Sequence, residues 1–196
     1  MASFIRRLIF AAALLTVIPL WPASISLKTF TSQSEGYIVE YPDTWYRNPS
    51  RLSDTLDVQN FPPSKAVHGL HIPGGGAEIE IASWRTARNG RSTVEEWIKG
   101  DTAHQKVLAK REINVSLFSG VTRAIEVREE ADVSPGPLEE AVIWYFALQD
   151  KWFEAQLVYW RGDPNAEKYL QTMRQIVSSL RLTPSREQPK RPERAR

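Results

Sequence analysis

The chain has 196 residues, 25 of them basic and 23 acidic, a net charge of +2 and no cysteine. Without cysteine there is no disulfide, no thiol nucleophile and no lipid-modified cysteine, so stability must come from a packed core. The positive charge sits at the two ends: residues 1–26 carry two arginines and no acid, residues 183–196 carry five basic and two acidic residues, and residues 27–182 keep 18 basic against 21 acidic. A body of that sign lacks the basic footprint that nucleic-acid binding needs, and no nucleic-acid partner is expected.

At the amino terminus Arg6 and Arg7 precede a mostly apolar stretch from Leu8 to Trp21, interrupted by Thr16 and Pro19. This is the n-region and h-region pattern of a secretory signal, and the run is short of the roughly twenty residues a bilayer span requires. Ser24-Ile25-Ser26 places small residues where a signal peptidase reads, so residues 1–26 are expected to be removed. Cutting after Ala23 instead would put bulky Trp21 in the outer pocket. The competing reading is an uncleaved membrane anchor. The expected location is outside the cytoplasm, in the periplasm or the medium. Residues 27–182 suit a single domain. The tail 183–196, with three prolines and no side chain larger than alanine able to pack, is expected to be disordered. Membrane contact is expected only through an uncleaved signal or this basic tail.

Residues 27–35 read as a short lead-in. The first strand falls at about 36–41, where Tyr37, Val39 and Tyr41 share one face and Ile38 and Glu40 the other. Pro42 stops it, Asp43 and Thr44 suit a turn, and Trp45 is large enough to seal the end of a core. Leu56, Val58 and Asn60-Phe61 suggest a second strand, ended by Pro62-Pro63. The stretch from Pro62 to Gly76 holds three prolines and four glycines and reads as a long surface loop. From Ala77 to Trp84 the chain alternates, with Ile79 and Ile81 inward and Glu78 and Glu80 outward. After a polar connection, Ser92 with Glu95 and Thr93 with Glu96 form overlapping capping boxes before a short helix carrying Val94, Trp97 and Ile98, with Gly100 near its end.

The second half reads as a meander. Val107 to Val115 and Gly120 to Arg128 are strands, and Glu129 to Leu138 a loop around Pro135-Gly136-Pro137. Glu139 to Gln149 and Trp152 to Arg161 are strands joined by a tight turn at Asp150-Lys151. Val142 to Leu148 is unbroken apolar, as in a strand covered on both faces. In its partner, Phe153, Ala155, Leu157 and Tyr159 share one side. A closing helix follows, with Asp163 as N-cap and Pro164 at the first helical position, where its missing N–H costs nothing. Tyr169, Met173, Ile176, Val177 and Leu180 form its apolar stripe. Strands in a run, helices to cover them and no βαβ alternation predict an α+β fold with a mostly antiparallel β-sheet.

The corner Tyr41-Pro42…Trp45, the helix from Ser92 to Ile98 with Glu95-Glu96-Trp97-Ile98, the aromatic hairpin from Trp144 to Trp160, and the ending Ser178-Ser179-Leu180-Arg181-Leu182 occur in an order that resembles the PsbP/Mog family. The resemblance covers Gly36 to about Leu182. It implies an α/β/α sandwich. Members of that family include an extrinsic photosystem II subunit, a Ran-binding nuclear factor and bacterial envelope proteins, so the resemblance implies no active site. Its lipid-anchored members carry a cysteine after the signal, and this chain has none.

No residue pattern supplies catalytic chemistry. There is no Gly-x-Ser-x-Gly elbow, and His68, His71 and His104 are the only histidines. His68-Gly-Leu-His71 has metal-chelating spacing only if helical, which Gly69 and Pro73-Gly74-Gly75-Gly76 disfavour. Gly74-Gly75-Gly76 lacks the following helix and Lys-Ser/Thr of a phosphate loop and reads as a hairpin lead-in. Glu126, Glu129, Glu130, Asp132, Glu139 and Glu140 surround a proline-rich loop and have the charge for calcium, without the Asp-x-Asp-x-Asp-Gly order that fixes its ligands; a solvated loop fits better. Arg161-Gly162-Asp163 reads as a coincidental adhesion tripeptide. Trp144 and Trp152 flank the last hairpin turn, and an exposed one would mark a binding face. No catalytic residue, cofactor or metal is expected. The reading is a non-catalytic exported domain that binds an envelope protein partner. The alternative is a small-molecule or lipid carrier with an aromatic-lined pocket beside the closing helix, and a hydrolase built on Asp or Glu pairs is a distant third.

Overall fold

A computed structural model describes residues 26–48, 54–63, 72–85, 93–131 and 137–184. The expected signal peptide (bar Ser26), nearly all of the basic tail, His68, His71, Asp132 and the Pro135-Gly136 pair lie outside the described residues.

The lead-in is itself a strand. β1 (Leu27–Ser32) pairs antiparallel with β2 (Tyr37–Pro42), Phe30 opposite Val39. Gly36, at φ +64°, reverses the chain between them in the left-handed region that glycine adopts without a Cβ clash. The alternation of β2 is as read: Tyr37, Val39 and Tyr41 are buried, while Ile38 and Glu40 are half-buried. The corner closes with the Trp45 N–H donating to the Pro42 carbonyl at 3.0 Å, and Trp45 is buried.

A seven-stranded sheet carries the rest. In chain order its strands are β3 (Tyr46–Arg47), β4 (Leu56–Gln59), β5 (Ala77–Arg85), β6 (Lys106–Leu117), β7 (Gly120–Ala131), β8 (Glu139–Leu148) and β9 (Lys151–Trp160). Their spatial order is β3-β4-β5-β9-β8-β7-β6, and every pairing is antiparallel. Among the described residues two helices, α1 (Val94–Asp101) and α2 (Ala166–Ser178), and a last strand β10 (Arg181–Leu182) accompany this sheet. β10 adds to the far edge of β2 to make a second, three-stranded sheet.

Two apolar layers sandwich the large sheet. On one face Ile79, Ile81, Val142, Trp144, Phe146, Phe153, Ala155, Leu157 and Tyr159 pack against α2 and the small sheet. On the other, Val127, Ala141, Ile143 and Tyr145 pack against Trp97 and Ile98 of α1. The unbroken apolar run of β8 is thus explained: alternate residues serve different cores. Trp97 stacks on Trp152 (5.8 Å, 13°) and meets Tyr145 edge-on (5.2 Å, 81°), which fixes α1. α2 contacts β6, β9 and β2, and so clasps both sheets. The Tyr37 hydroxyl donates to the Ile81 carbonyl at 2.8 Å and adds a polar tie between them. The architecture is α+β, an antiparallel sheet between α1 and a layer of α2 with the small sheet.

Several sequence expectations shift. β4 ends at Gln59, before Asn60-Phe61. Thr93 is the α1 cap, its hydroxyl accepting from the Glu96 N–H at 3.1 Å; Ser92 lies outside the described residues. β7 continues through Glu129 and Glu130 to Ala131, because β8 offers a paired register to its end. The β8–β9 turn is Gln149-Asp150 rather than Asp150-Lys151: Lys151 pairs with Leu148, and Gln149 takes φ +57°. Asp163 is not the N-cap of α2. Its carboxylate accepts from the Asn165 N–H at 2.7 Å, and this side-chain turn defers the helix to Asn165 as cap, so Pro164 precedes the cap instead of taking the first helical position. All five residues of the predicted α2 stripe are buried, Leu180 just beyond the last turn.

Candidate functional site

Neither hairpin tryptophan is exposed. Trp144 is buried on the α2 side, its indole N–H donating to Glu126 Oε2 at 3.1 Å, and Trp152 is half-covered by Trp97 on the opposite side. The most exposed aromatic among the described residues lies instead at the β6–β7 turn. Leu117 pairs with Gly120, so Phe118 and Ser119 form the tip of the β6–β7 hairpin, with Phe118 67% and Val121 71% exposed. The Arg181 guanidinium sits 5.3 Å from the Phe118 ring centre and also donates to Glu40 Oε1 at 3.2 Å, which links the tip to β2. The tip is therefore a held hydrophobic projection. Leu117-Phe118-Ser119-Gly120, an aromatic directly before a Ser-Gly turn, was the signal for it in the sequence.

A groove of about 510 Å³ runs beside α2, lined by Arg111 to Ser116 of β6 with Glu126, Trp144 and Arg174. It is where the carrier reading puts a pocket, but Trp144 is its single aromatic and the other side chains are mainly polar. Glu126 is buried in this wall because it faces the α2 side from the middle of β7. Its Oε1 accepts from Arg111 Nε at 2.9 Å and Arg128 Nε at 3.1 Å, so its charge is matched by two guanidinia and the Trp144 indole. Arg128 also reaches Glu140 Oε1 at 3.3 Å, which accepts from the Tyr159 hydroxyl at 3.0 Å. Arg174 lies 2.8 Å from Glu167, whose carboxyl it holds below the usual range by a charged hydrogen bond. The groove is a set of closed ion pairs.

The acidic group read as a loop is dispersed along β7 and β8. Glu130 pairs with Lys106 at 3.0 Å and Arg161 at 2.8 Å, and Glu139 accepts the Ile72 N–H at 3.1 Å. Glu129 faces the α1 side. Among the described residues no group of three His, Asp or Glu side chains is arranged to hold a metal ion, and His104 is exposed. The Gly74-Gly75-Gly76 segment is a turn docked on α2: the Gly75 carbonyl accepts from the Tyr169 hydroxyl at 2.7 Å, and a Cβ on Gly76 would lie 2.7 Å from the Pro73 oxygen.

The α1 side holds a carboxyl far from its ordinary titration. Glu154 stands beside Tyr145, whose hydroxyl donates to Asp101 Oδ2 at 2.6 Å. Burial, followed by the charges of Asp101, Glu80 and Glu129, pushes Glu154 up to about 8. Glu129 is raised by burial and Asp101, and burial with Glu154 raises the Tyr145 phenol well above its usual range. A carboxyl titrating near neutrality fits general acid–base chemistry only beside a substrate cleft. Glu154 sits half-buried on β9, opposite Ala82 of β5 and Tyr145 of β8, and does not line the groove beside α2.

No family model and no curated protein matches the chain. Among solved structures it is similar to the Ran-binding protein Mog1p of Saccharomyces cerevisiae, with a TM-score of 0.49 and 10% identity over 81% of this chain and 96% of that one. It is also similar to LpqN, involved in cell envelope biogenesis of Mycobacterium tuberculosis (TM-score 0.48, 13% identity, 83% and 93% covered), and to cyanobacterial PsbP from Synechocystis sp. PCC 6803 (0.38, 12%, 84% and 99%). The kinds of protein named by the PsbP/Mog-like resemblance thus recur among solved structures, and the likeness is one of fold.

Proposed function

We propose that the chain is an exported, non-catalytic domain that binds a protein partner at the cell envelope, with the β6–β7 hairpin tip as its docking point. The observation that carries this reading is the exposed Phe118 and Val121, held at a fixed place by Arg181. Binding energy at protein interfaces concentrates in aromatic and arginine side chains that lose water on contact. The guanidinium seated against the Phe118 ring restricts its rotamers, which lowers the conformational entropy lost on docking. Export rests on the Arg6-Arg7 and Leu8–Trp21 pattern, with residues 1–26 removed, 27–182 as the domain and 183–196 as a solvated tail. The polar, ion-paired groove beside α2 gives an apolar ligand little surface to bury, which favours partner binding over the carrier alternative.

The test is complementation of a deletion strain with a Phe118→Ser, Val121→Asp protein. It should be exported, accumulate and melt like the unaltered protein, because both positions are exposed, and yet fail to correct the deletion phenotype. Full complementation by the folded double variant would contradict the assignment.

A further inference from the structure

We propose that the protein self-associates through β6, which pairs antiparallel with the β6 of a second copy about a two-fold axis at Arg111. β6 is a twelve-residue edge of the seven-stranded sheet, and among the described residues only β7 pairs with it. Every residue from Lys106 to Glu112 is exposed. An edge of that length presents a row of backbone donors and acceptors that another strand can complete.

The hairpin fixes which residues do so. Leu117 and Gly120 close a two-residue turn, so Arg111, Ile113 and Val115 exchange hydrogen bonds with β7. Lys110, Glu112, Asn114 and Ser116 therefore direct their N–H and C=O groups outward. Ile113, Val115 and Leu117 face the α2 core, which places the even-numbered side chains on the opposite face. Matching faces across the new pair requires even residues to oppose even residues.

Charge then separates the registers. An axis at Lys110 or at Glu112 sets like charges face to face, and an axis at Ile113 opposes Glu112 to Asn114 and Lys110 to Ser116, with no charge pair. An axis at Arg111 opposes Lys110 to the partner's Glu112 twice, by symmetry. Opposite charges at directly facing positions stabilise a sheet and like charges destabilise it. Arg111 then meets its own copy, but each guanidinium lies 2.9 Å from Glu126, so two neutralised pairs are brought together. Glu112 now has only a 4.0 Å contact with Arg123, both side chains more than 70% exposed, which is too weak to hold it back. Val107 and Leu108, exposed apolar residues on the same strand, gain cover at the ends of the paired segment. The two hairpin tips point to opposite ends and stay free.

Sedimentation velocity across a concentration series of the purified protein tests this. The unaltered protein should show a concentration-dependent monomer–dimer equilibrium. Lys110→Glu and Glu112→Lys should each weaken it about tenfold or more, since two attractive cross-strand pairs become repulsive. The combined Lys110→Glu, Glu112→Lys variant should recover it, because the pairs are restored with signs exchanged. Circular dichroism and melting of all three should match the unaltered protein. A protein that stays monomeric up to about millimolar concentration, or a dimer indifferent to the single reversals or not recovered by the double, overturns the proposal and leaves the edge to a different chain.

Discussion

Trp45 closes the corner that the sequence marks most clearly. It is 7% exposed at the Tyr41-Pro42 corner, where β2 leaves the small sheet, and belongs to the core shared with α2. Trp45→Ala removes the largest side chain from a site the backbone turn prevents from collapsing, and a loss of about 3–5 kcal/mol is expected from denaturant melts. A midpoint shift too small to resolve would contradict the packing. Glu154 makes the opposite kind of contribution. Its folded pKa of about 8 lies above the ordinary 4.5, so the folded state holds a proton that the unfolded state has released between those values. The contribution of this carboxyl to stability is therefore full below about pH 4.5, falls as pH rises toward 8 and is flat above it. Glu154→Gln, which mimics the protonated carboxyl, is expected to be more stable than the unaltered protein at pH 8, by roughly 1–3 kcal/mol, and equal to it at pH 4. Equal melting midpoints at pH 8 would show that the carboxyl ionises without cost.

Elements were legible where a buried face imposed a period and illegible where pairing alone made the strand. β5 and β9 set residues of one parity into the α2-side core and their alternation says so, while the unbroken apolar run of β8 reflects burial on both faces. β1 buries little more than Phe30 and Ser32, and β10 is two residues long; both are strands because β2 offers two free edges, which no local pattern records. The charged end of β7 reads as loop until Lys106 and Arg161 are seen to neutralise Glu130. At the site, the exposed position of Phe118 depends on the length of the β6–β7 hairpin, which only the Ser119-Gly120 turn marks locally. α1 tests local reasoning. Its first turn hangs on the Thr93 hydroxyl, so Thr93→Ala is expected to cost about 1 kcal/mol in a thermal or urea melt. No change would mean that the Trp97–Trp152 stack alone orders the helix.

Over the whole molecule, α2 is the clasp. It covers β6 and β9 of the large sheet and β2 of the small one, and its continuation supplies β10. Ending the chain after Leu182 removes the Thr183 N–H bond to the Gly36 carbonyl and little else that is described, so melting should be unchanged within about 1 kcal/mol. Ending it at Gly162 strips Tyr169, Leu170, Met173, Ile176, Val177 and Leu180 from the core, and an aggregating protein is expected. A soluble fragment with a cooperative melt would refute the architecture. The claim that this scaffold exists to present the β6–β7 tip is tested most directly by photo-crosslinking in the cell. With a photoreactive aromatic residue in place of Phe118, illumination should give one discrete adduct with a protein of the envelope, lost when Val121→Asp is added and absent when the probe replaces the exposed Lys168. No adduct at position 118, or the same adduct at position 168, would contradict the account.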